Sequence, residues 1–473
     1  MSIPQPRLQP NEDVLATKIL RRVSFVICPT GPYCREDRCQ SFFRFELIPS
    51  VRAPLEECEA AGAIKSVGGE ATIIDAQTEK LGRGSLIERI VELQPDAIVL
   101  VVTFGTLNED LAWAKVFKSE LPNVAIGVRG APCYTSEKEI FESSSEIDFS
   151  VKGEYETIFA HLASKGIAGC QGVSYRQGGE VFYSPPGQLV RDLDQLPLPD
   201  RSSIKSHLYR VRGFGALQAT VRVQRGCPYP CSYCLVHTVN GKVVRHRSPK
   251  HIVSEVAILV GQGIRHFYFR ADTFTIDKKW ALELCEELTQ SCPGIRWVTT
   301  TRVDRVDNEL IQAMARAGCY GISFGVDVAS KTIGEKVHKY ADAGMTKAAL
   351  QACHDAGILS LAYIMIGFIW ETRQTLSEVS SFLRQINPDL LTIHFAHPYP
   401  GTQYYESFRQ TGVSLTSHRA QAEPAMHSEG LSVAQLKAFA RLQLARHYTR
   451  PSIVLSILKK VARGWLRRTI RPR

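Results

Sequence analysis

Short apolar runs alternate with amphipathic stretches through the first third of the chain. Apolar, β-rich segments occupy residues 23–28, 71–76, 96–104, 124–128 and 148–153, and a helical pattern covers 85–93. The segment at 96–104 is almost continuously apolar, as expected of a parallel strand that is buried on both faces. This alternation predicts a doubly wound α/β domain over residues 21–165, whose ligands would lie beyond the carboxyl ends of the strands.

A second strand–helix series begins near Thr220. Helical patterns at 251–262, 277–290 and 345–356 separate six predicted strands, at residues 220–224, 266–270, 296–301, 320–325, 360–366 and 390–396. Six repeats are fewer than the eight of a closed barrel. The pattern therefore predicts a partial (β/α)6 barrel over residues 216–410.

The other segments have weaker patterns. Residues 1–20 are a polar lead, and residues 166–215, which contain Gly178-Gly179 and two adjacent prolines, are predicted to be an irregular linker. Residues 411–473 have a helical pattern, with Ser432 and Gln435 placed as a capping box.

The chain carries a net charge of +10, and its basic residues concentrate at the end. Residues 437–473 contain eleven Lys and Arg and no Asp or Glu. A nucleic-acid-binding protein more often spreads its basic residues over a domain face, so no nucleic-acid partner is expected. Residues 452–473 form a basic amphipathic pattern, which suits either packing on the barrel or contact with an anionic membrane surface. The second interpretation would imply a lipid or another hydrophobic substrate.

Two absences bear on location. No stretch reaches the roughly 18 apolar residues of a spanning helix, and the first residues have no apolar core of a secretory signal. The protein is therefore expected in the cytoplasm, with peripheral contact at the inner face of the membrane if the tail binds lipid. Thirteen cysteines in such a chain favour metal binding or catalysis over disulfides.

The segment that best indicates a chemistry is Arg-Gly-Cys-Pro-Tyr-Pro-Cys-Ser-Tyr-Cys at 225–234, immediately after a predicted strand. Cys227, Cys231 and Cys234 have the spacing C-x3-C-x2-C, and thiolates are the usual ligands of iron–sulfur clusters. Three thiolates would leave one iron of a [4Fe–4S] cluster open for a cofactor or substrate. The alternative is a structural zinc site in which His237 is the fourth ligand.

This motif, at the end of the first strand of a six-fold βα series, resembles the radical S-adenosylmethionine (SAM) superfamily. Segments with the family's order follow each later strand, among them Phe269–Phe274, Gly325–Asp327 and Ile366–Thr372. The resemblance implies a [4Fe–4S] cluster on the three cysteines, whose open iron binds SAM. It also implies SAM contacts at Tyr233, Arg302, Asp327 and Gly367.

The first domain resembles the cobalamin-binding domain that many of these enzymes carry. The resemblance rests on Gly-Val-Arg-Gly-Ala-Pro at 127–132, on Gly153–Thr157 and on the polar turn after the third strand. The D-x-H-x-x-G motif that would supply an axial histidine to cobalt is absent. The residues that this resemblance places at cobalamin are Thr103, Gly105, Thr106, Gly127, Gly130, Ala131, Gly153 and Glu154. The alternative is a degenerate domain of this fold that binds nothing.

Two further groups are candidates for the same region. Cys28, Cys34 and Cys39 follow the first strand, but their spacing matches no recognised metal pattern. We expect the charged residues 35–38 to form a salt-bridged loop instead. His394 and His397 end the sixth barrel strand, where either proton transfer or a structural hydrogen bond would suit them.

The resemblance implies a cobalamin-dependent radical SAM enzyme that methylates an unactivated carbon. A 5′-deoxyadenosyl radical would abstract a substrate hydrogen, and methylcobalamin would supply the methyl group. One alternative is a cyclase or oxidoreductase that uses cobalamin without methyl transfer, and another is a non-catalytic zinc and corrinoid-binding module. The expected partners are a small-molecule substrate and an external reductant such as flavodoxin or ferredoxin.

Overall fold

A computed structural model describes residues 15–31, 33–37, 39–42, 52–211, 215–413, 415 and 423–456. Its first domain is built on a seven-stranded sheet with the order β4-β1-β5-β6-β7-β8-β9. The strands of this domain, including the separate β2/β3 hairpin, are β1 (Arg22–Ile27), β2 (Tyr33–Glu36), β3 (Cys39–Phe42), β4 (Glu70–Asp75), β5 (Ala97–Val101), β6 (Ala125–Arg129), β7 (Phe149–Val151), β8 (Val173–Gln177) and β9 (Glu180–Phe182).

Helices cover both faces of this sheet, so its central strands are buried on both sides. All five residues of β5 are buried, as the apolar run at 96–104 predicts. The five parallel strands β4-β1-β5-β6-β7, renumbered in chain order, have the arrangement 2-1-3-4-5 of a doubly wound sheet. In such a sheet the ligand crevice lies at the carboxyl ends of the two strands where the order reverses, here β1 and β5. The helices are α1 (Leu55–Ser66), α2 (Ala76–Glu79), α3 (Arg83–Leu93), α4 (Leu107–Glu120), α5 (Pro132–Thr135), α6 (Glu137–Ser143) and α7 (Tyr155–Lys165).

Part of the predicted linker is a hairpin of the first sheet. Strands β8 and β9 pair with each other and continue the sheet beyond β7 in antiparallel fashion. Gly178 and Gly179, both at positive φ, form the two-residue turn between them. Two glycines at such a turn are a hairpin signal, because this turn type needs positive φ at both central positions. The irregular linker is therefore shorter than residues 166–215.

The second domain is a six-stranded parallel sheet in the order β10-β13-β14-β15-β16-β17, and it confirms the six strands that the sequence predicts. Its strands are β10 (Gln218–Arg222), β13 (His266–Arg270), β14 (Arg296–Thr301), β15 (Cys319–Asp327), β16 (Leu359–Ile366) and β17 (Leu390–Phe395), and a two-stranded ribbon of β11 (Gln224–Arg225) and β12 (Arg245–His246) follows β10.

Helices follow the barrel strands, and most begin at a polar capping side chain. Asp277, for example, accepts a hydrogen bond from the backbone N–H of Trp280, and Asp342 accepts one from Met345. The helices are α8 (Val236–Val239), α9 (Pro249–Gly261), α10 (Lys278–Ser291), α11 (Asn308–Arg316), α12 (Lys331–Val337), α13 (Ala343–Ala356), α14 (Arg373–Gln385), α15 (Gln403–Arg409) and α16 (Val433–Tyr448).

The predicted capping box at the start of α16 is confirmed: Ser432 and Gln435 exchange side-chain-to-backbone hydrogen bonds. Residues 451–456 are helical, and the rest of the predicted amphipathic tail lies outside the described residues. Ile453 is 1% exposed, whereas the next residue, Val454, is 44% exposed. No helix of the described chain is long and apolar enough to cross a bilayer.

The two domains meet through buried ion pairs. Arg222 binds Glu59 through two hydrogen bonds of 2.6 and 2.8 Å, and Arg270 approaches Glu56 at 2.5 Å. We call the full set the interdomain ion network; its members, all buried, are Glu36, Glu56, Glu59, Glu154 and Glu156 of the first domain and Arg222, Arg225, Arg245 and Arg270 of the second.

Candidate functional site

The three-cysteine loop begins and ends at the β11/β12 ribbon. Arg225, in β11, is the register partner of Arg245 in β12, so the ribbon closes the base of the loop. Gly226 follows at φ +88°, where a Cβ atom would lie 2.0 Å from the carbonyl oxygen of Val243. Only glycine fits this position, because the backbone turns sharply and the return strand approaches closely.

Asp272, at the end of β13, anchors the same loop to the barrel. Its Oδ2 accepts hydrogen bonds from the backbone N–H of Gly226 at 2.7 Å and from the side chain of Asn240 at 2.9 Å. The backbone N–H of Asp272 in turn donates to Gln224 at 2.7 Å. Both ends of the loop are therefore held by one carboxylate at the carboxyl end of the second barrel strand.

Cys227, Cys231 and Cys234 all line one cavity of about 270 Å³. The cavity lies at the carboxyl ends of the barrel strands, where ligands of βα barrels bind. Tyr233, Arg302 and Asp327 line it too, so the structure brings three of the four predicted SAM residues together with the cysteines.

Tyr233 and Asp327 are hydrogen-bonded to each other in the wall of the cavity. The Tyr233 hydroxyl donates to Asp327 Oδ2 at 2.9 Å, and Lys339 Nζ lies 3.1 Å from the same oxygen. Asp327 has a φ of +56°, a conformation that a non-glycine residue rarely adopts. The cavity wall thus contains a strained carboxylate that the cysteine loop and a lysine hold in place.

Arg302 lies over the ring of Tyr229, with its guanidinium carbon 3.8 Å from the ring centroid. It also forms two hydrogen bonds, of 2.8 and 2.9 Å, with Asp304. The hydrogen bonds and charge of Asp304 outweigh burial and raise the pKa of Arg302, so this cation persists at any working pH. Because Tyr229 belongs to the cysteine loop, Arg302 braces that loop from the third strand.

Gly367 does not line the cavity with the cysteines. It turns the chain after β16 at φ +82°, and its N–H donates to the buried carboxylate of Glu371 at 3.0 Å. The backbone amide of Gly367 therefore already has a protein partner. A SAM contact at Gly367 stays a prediction.

His394 and His397 both line the cavity. Burial lowers the pKa of His394 to about 4, so its imidazole is neutral near pH 7, and its Nε2 lies 3.2 Å from the Thr392 hydroxyl. The ring of Tyr363 packs at a tilt against His394 and that of Tyr399 against His397, so this end of the cavity is aromatic.

The cysteines suit an iron–sulfur cluster better than zinc. His237, in α8, is not among the residues that line the cavity. Among the described residues, no three His, Cys, Asp or Glu side chains converge to hold a single metal ion. A [4Fe–4S] cluster binds its thiolates at separate irons, so its ligands surround it and need not converge on one point. Three thiols on one cavity, next to Lys339 and Arg302, fit that requirement.

The residues predicted to contact cobalamin lie at the carboxyl edge of the first sheet, but protein atoms occupy their surroundings. Thr103 and Thr106 are hydrogen-bonded to each other at 2.8 Å, and Thr106 donates to Asp110 at 2.6 Å. A Cβ atom on Gly105 would meet the Tyr33 hydroxyl at 2.3 Å, and one on Gly130 would meet a backbone carbonyl at 2.1 Å.

The other predicted contacts are also used within the protein. Gly127 packs against the ring of Phe149, Gly153 approaches the backbone of Gly187, and Ala131 packs at the domain interface. Glu154 belongs to the interdomain ion network. The cobalamin contacts of these residues stay predictions.

The described charged residues of the loop after β1 form ion pairs as expected, whereas Arg38 lies outside the described residues. Arg35 binds Asp110 at 2.6 Å, and Asp37 binds Arg129 at 2.9 Å. Cys28 is fully buried in the core of the first domain, and burial raises the pKa of its thiol. Such a thiol is inert packing, whereas the side chains of Cys34 and Cys39 lie outside the described set.

Several cavity residues were not among the predicted site residues. Tyr229 could have been found from its place between two prolines of the cysteine loop, and Asp272 from the acidic segment after the second strand. Lys339 follows α12 in a segment without a motif, and only the fold brings it to Asp327. Glu36 and Arg52 of the first domain also line the cavity.

Residues 221–383 match the model of the Radical SAM superfamily, so this part of the chain is a radical SAM domain.

Curated relatives include both methyltransferases and cyclases. An uncharacterised methyltransferase of Pyrococcus horikoshii is 28% identical over 84% of this chain and 90% of its own length. The anaerobic magnesium-protoporphyrin IX monomethyl ester cyclase of Cereibacter sphaeroides is 27% identical over 74% of this chain but only 59% of its own length. The hopanoid C-3 methylase of Methylococcus capsulatus is 23% identical, over 73% of this chain and 67% of that protein.

Solved structures share the fold across both domains. The methyltransferase TsrM of Kitasatospora setae, solved with cobalamin and a [4Fe–4S] cluster, superposes with a TM-score of 0.63 at 18% identity, covering 84% of this chain and 76% of that one. The radical enzyme OxsB, solved with aqua-cobalamin and SAM, gives 0.62 at 19% identity and covers 83% and 55%. The predicted two-domain α/β fold is thereby confirmed.

Proposed function

We propose that this chain is a cobalamin-dependent radical SAM enzyme that transfers a methyl group to an unactivated carbon of a small molecule. The observation that carries the proposal is the single cavity lined by Cys227, Cys231 and Cys234 together with Tyr233 and Asp327. Methyltransferases among the relatives support this reaction.

Cys227, Cys231 and Cys234 would hold a [4Fe–4S] cluster, which together with SAM would supply the radical chemistry for hydrogen abstraction from the substrate. The chain's own groups position and shield that chemistry. Tyr233 fixes the Asp327 carboxylate through its hydroxyl, and Lys339 forms an ion pair with the same carboxylate oxygen beside the cavity. Asp327 is thus available to accept hydrogen bonds from hydroxyl groups of SAM.

Aromatic and apolar side chains form a large part of the cavity wall. Tyr229 and Tyr268 line it beside the cysteine loop, and Tyr363, Met365 and Tyr399 line it near the ends of the last two strands. A dry cavity protects radical intermediates from quenching, and its apolar wall suits a hydrophobic substrate.

The requirement for a corrinoid is supported by the fold shared with TsrM and OxsB. The contacts proposed for it lie at the carboxyl edge of the first sheet, where Thr103 and Thr106 follow β5. Full-length protein incubated with hydroxocobalamin should retain it through gel filtration, and complete loss of the corrinoid there would contradict this part of the proposal.

The decisive experiment is anaerobic reconstitution. The protein should bind about four irons per chain, the stoichiometry of a [4Fe–4S] cluster, and cleave SAM when a flavodoxin or ferredoxin supplies electrons. A variant with Cys227, Cys231 and Cys234 all changed to Ala should lose the cluster absorption and SAM cleavage. Normal SAM cleavage by that variant would refute the assignment.

A second candidate is cyclisation or oxidation without methyl transfer, which the similarity to anaerobic cyclases favours. The two reactions differ in product mass, because methyl transfer adds one CH2 unit and cyclisation does not. Zinc in place of iron in the anaerobically purified protein would instead favour a non-catalytic zinc and corrinoid-binding module.

A further inference from the structure

We propose that Glu154 of the first domain is a positioning residue for the cysteine loop. The inference rests on the proposed cluster site and adds to it a role for the first domain in holding that site.

Two arginines face each other at the base of the loop. Arg225 and Arg245 are register partners in the β11/β12 ribbon, and each is only about 5% exposed. Like charges directly opposite each other on paired strands repel, and burial strengthens the repulsion. The ribbon would therefore tend to open at the point where the loop must close.

Glu154 resolves this repulsion. One of its carboxylate oxygens contacts Arg245 Nη1 at 2.5 Å, and the other contacts Arg225. The carboxylate therefore bridges both strands of the ribbon. Glu154 starts α7, directly after the Gly153 turn at the carboxyl end of β7, so the sheet of the first domain fixes its position.

Each arginine lies within five residues of a group that shapes the loop. Arg225 precedes Gly226 and Cys227, and Arg245 donates through Nη2 to the carbonyl of Asn240 at 2.9 Å. The side chain of Asn240 binds Asp272, the anchor of the loop. A displacement of the bridge at Glu154 therefore reaches both ends of the segment that carries the three cysteines.

Other carboxylates in the interface do not have this role. Glu156 and Glu59 contact Arg225 but not Arg245, and Glu56 contacts Arg222 and Arg270. Glu56 is therefore a matched control: it is a buried interdomain carboxylate that pairs with two arginines but does not touch the ribbon.

The test compares Glu154→Gln with Glu56→Gln in the full-length, reconstituted protein. We expect Glu154→Gln to lose iron during gel filtration, to broaden the electron paramagnetic resonance spectrum of the reduced cluster with SAM, and to slow SAM cleavage roughly ten- to a hundredfold. A misplacement of reacting groups of about 1 Å is enough for such a loss. Glu154→Asp, which keeps a carboxylate between the arginines, should recover part of each signal. Glu56→Gln should retain its iron and the wild-type spectrum.

Equal effects of Glu154→Gln and Glu56→Gln, or a wild-type spectrum and iron content in Glu154→Gln, would overturn the inference. If Glu154→Gln does not fold by circular dichroism, the same comparison between Glu154→Asp and Glu56→Asp decides it. A wild-type protein that binds no cluster would instead refute the proposed function, so the two failures are distinguishable.

Discussion

Substitution of Gly226 by Ala should push apart the two segments that close the cysteine loop at the β11/β12 ribbon. The change has two costs. The first is conformational, because φ is +88° and an L-residue in the left-handed region costs roughly 1–2 kcal/mol. The second is steric, because the new Cβ atom would lie 2.0 Å from the carbonyl oxygen of Val243, whereas ordinary contact starts at 3.4 Å.

Relief of that contact requires a relative movement of about 1.4 Å between the two strands that close the loop. Overpacking of this kind costs typically 1–3 kcal/mol. We therefore expect Gly226→Ala to lose about 2–5 kcal/mol of the free energy of unfolding and most of its iron, since Cys227 is the next residue. Denaturant unfolding under anaerobic conditions and iron analysis after gel filtration measure the two effects.

Gly294→Ala is the control. Gly294 has a similar φ of +82° but no atom within 4 Å of the position of a Cβ, so the variant isolates the conformational cost. It should lose roughly 1–2 kcal/mol and keep its full iron content. If Gly226→Ala were no less stable than Gly294→Ala and bound iron equally well, the argument that close approach shapes the loop would be refuted.

Three further predictions concern single side chains. Burial raises the pKa of Glu371 to about 7, so its contribution to stability should fall as pH rises from about 4.5 to 7, and Glu371→Gln should flatten that slope in denaturant midpoints. Ile453 is buried, so Ile453→Ala should lower the free energy of unfolding by about 2–5 kcal/mol in the same assay. Val454 is exposed, so Val454→Ala should change it by no more than about 0.5 kcal/mol. Tyr233→Phe should weaken SAM binding about fivefold in equilibrium dialysis, because Asp327 loses one hydrogen bond worth about 1 kcal/mol; unchanged affinity would contradict the link.

The sequence by itself determined most of the architecture. Alternation of buried strands and amphipathic helices is a local property, so both βα series could be located from the pattern, and the capping box at Ser432 also depends on neighbours in the chain. The three cysteines have a diagnostic spacing for the same reason: they lie within eight residues on one loop. The sequence signal for the β8/β9 hairpin was present in Gly178-Gly179, but a glycine pair also occurs in linkers.

The tertiary structure alone decided how the two domains use their polar residues. Gly130 and Glu154 match the pattern of a ligand-binding edge, yet the first packs on a neighbouring strand and the second bridges two arginines that lie more than 70 residues away in the chain. Only the tertiary structure places Lys339 beside Asp327 and reveals the left-handed backbone conformation of Asp327. A turn motif determines the backbone position of a residue. The partner of its side chain depends on long-range packing, which brings another segment of the chain opposite that residue. A buried charge is costly without a partner, so it pairs with whichever opposite charge the fold places beside it.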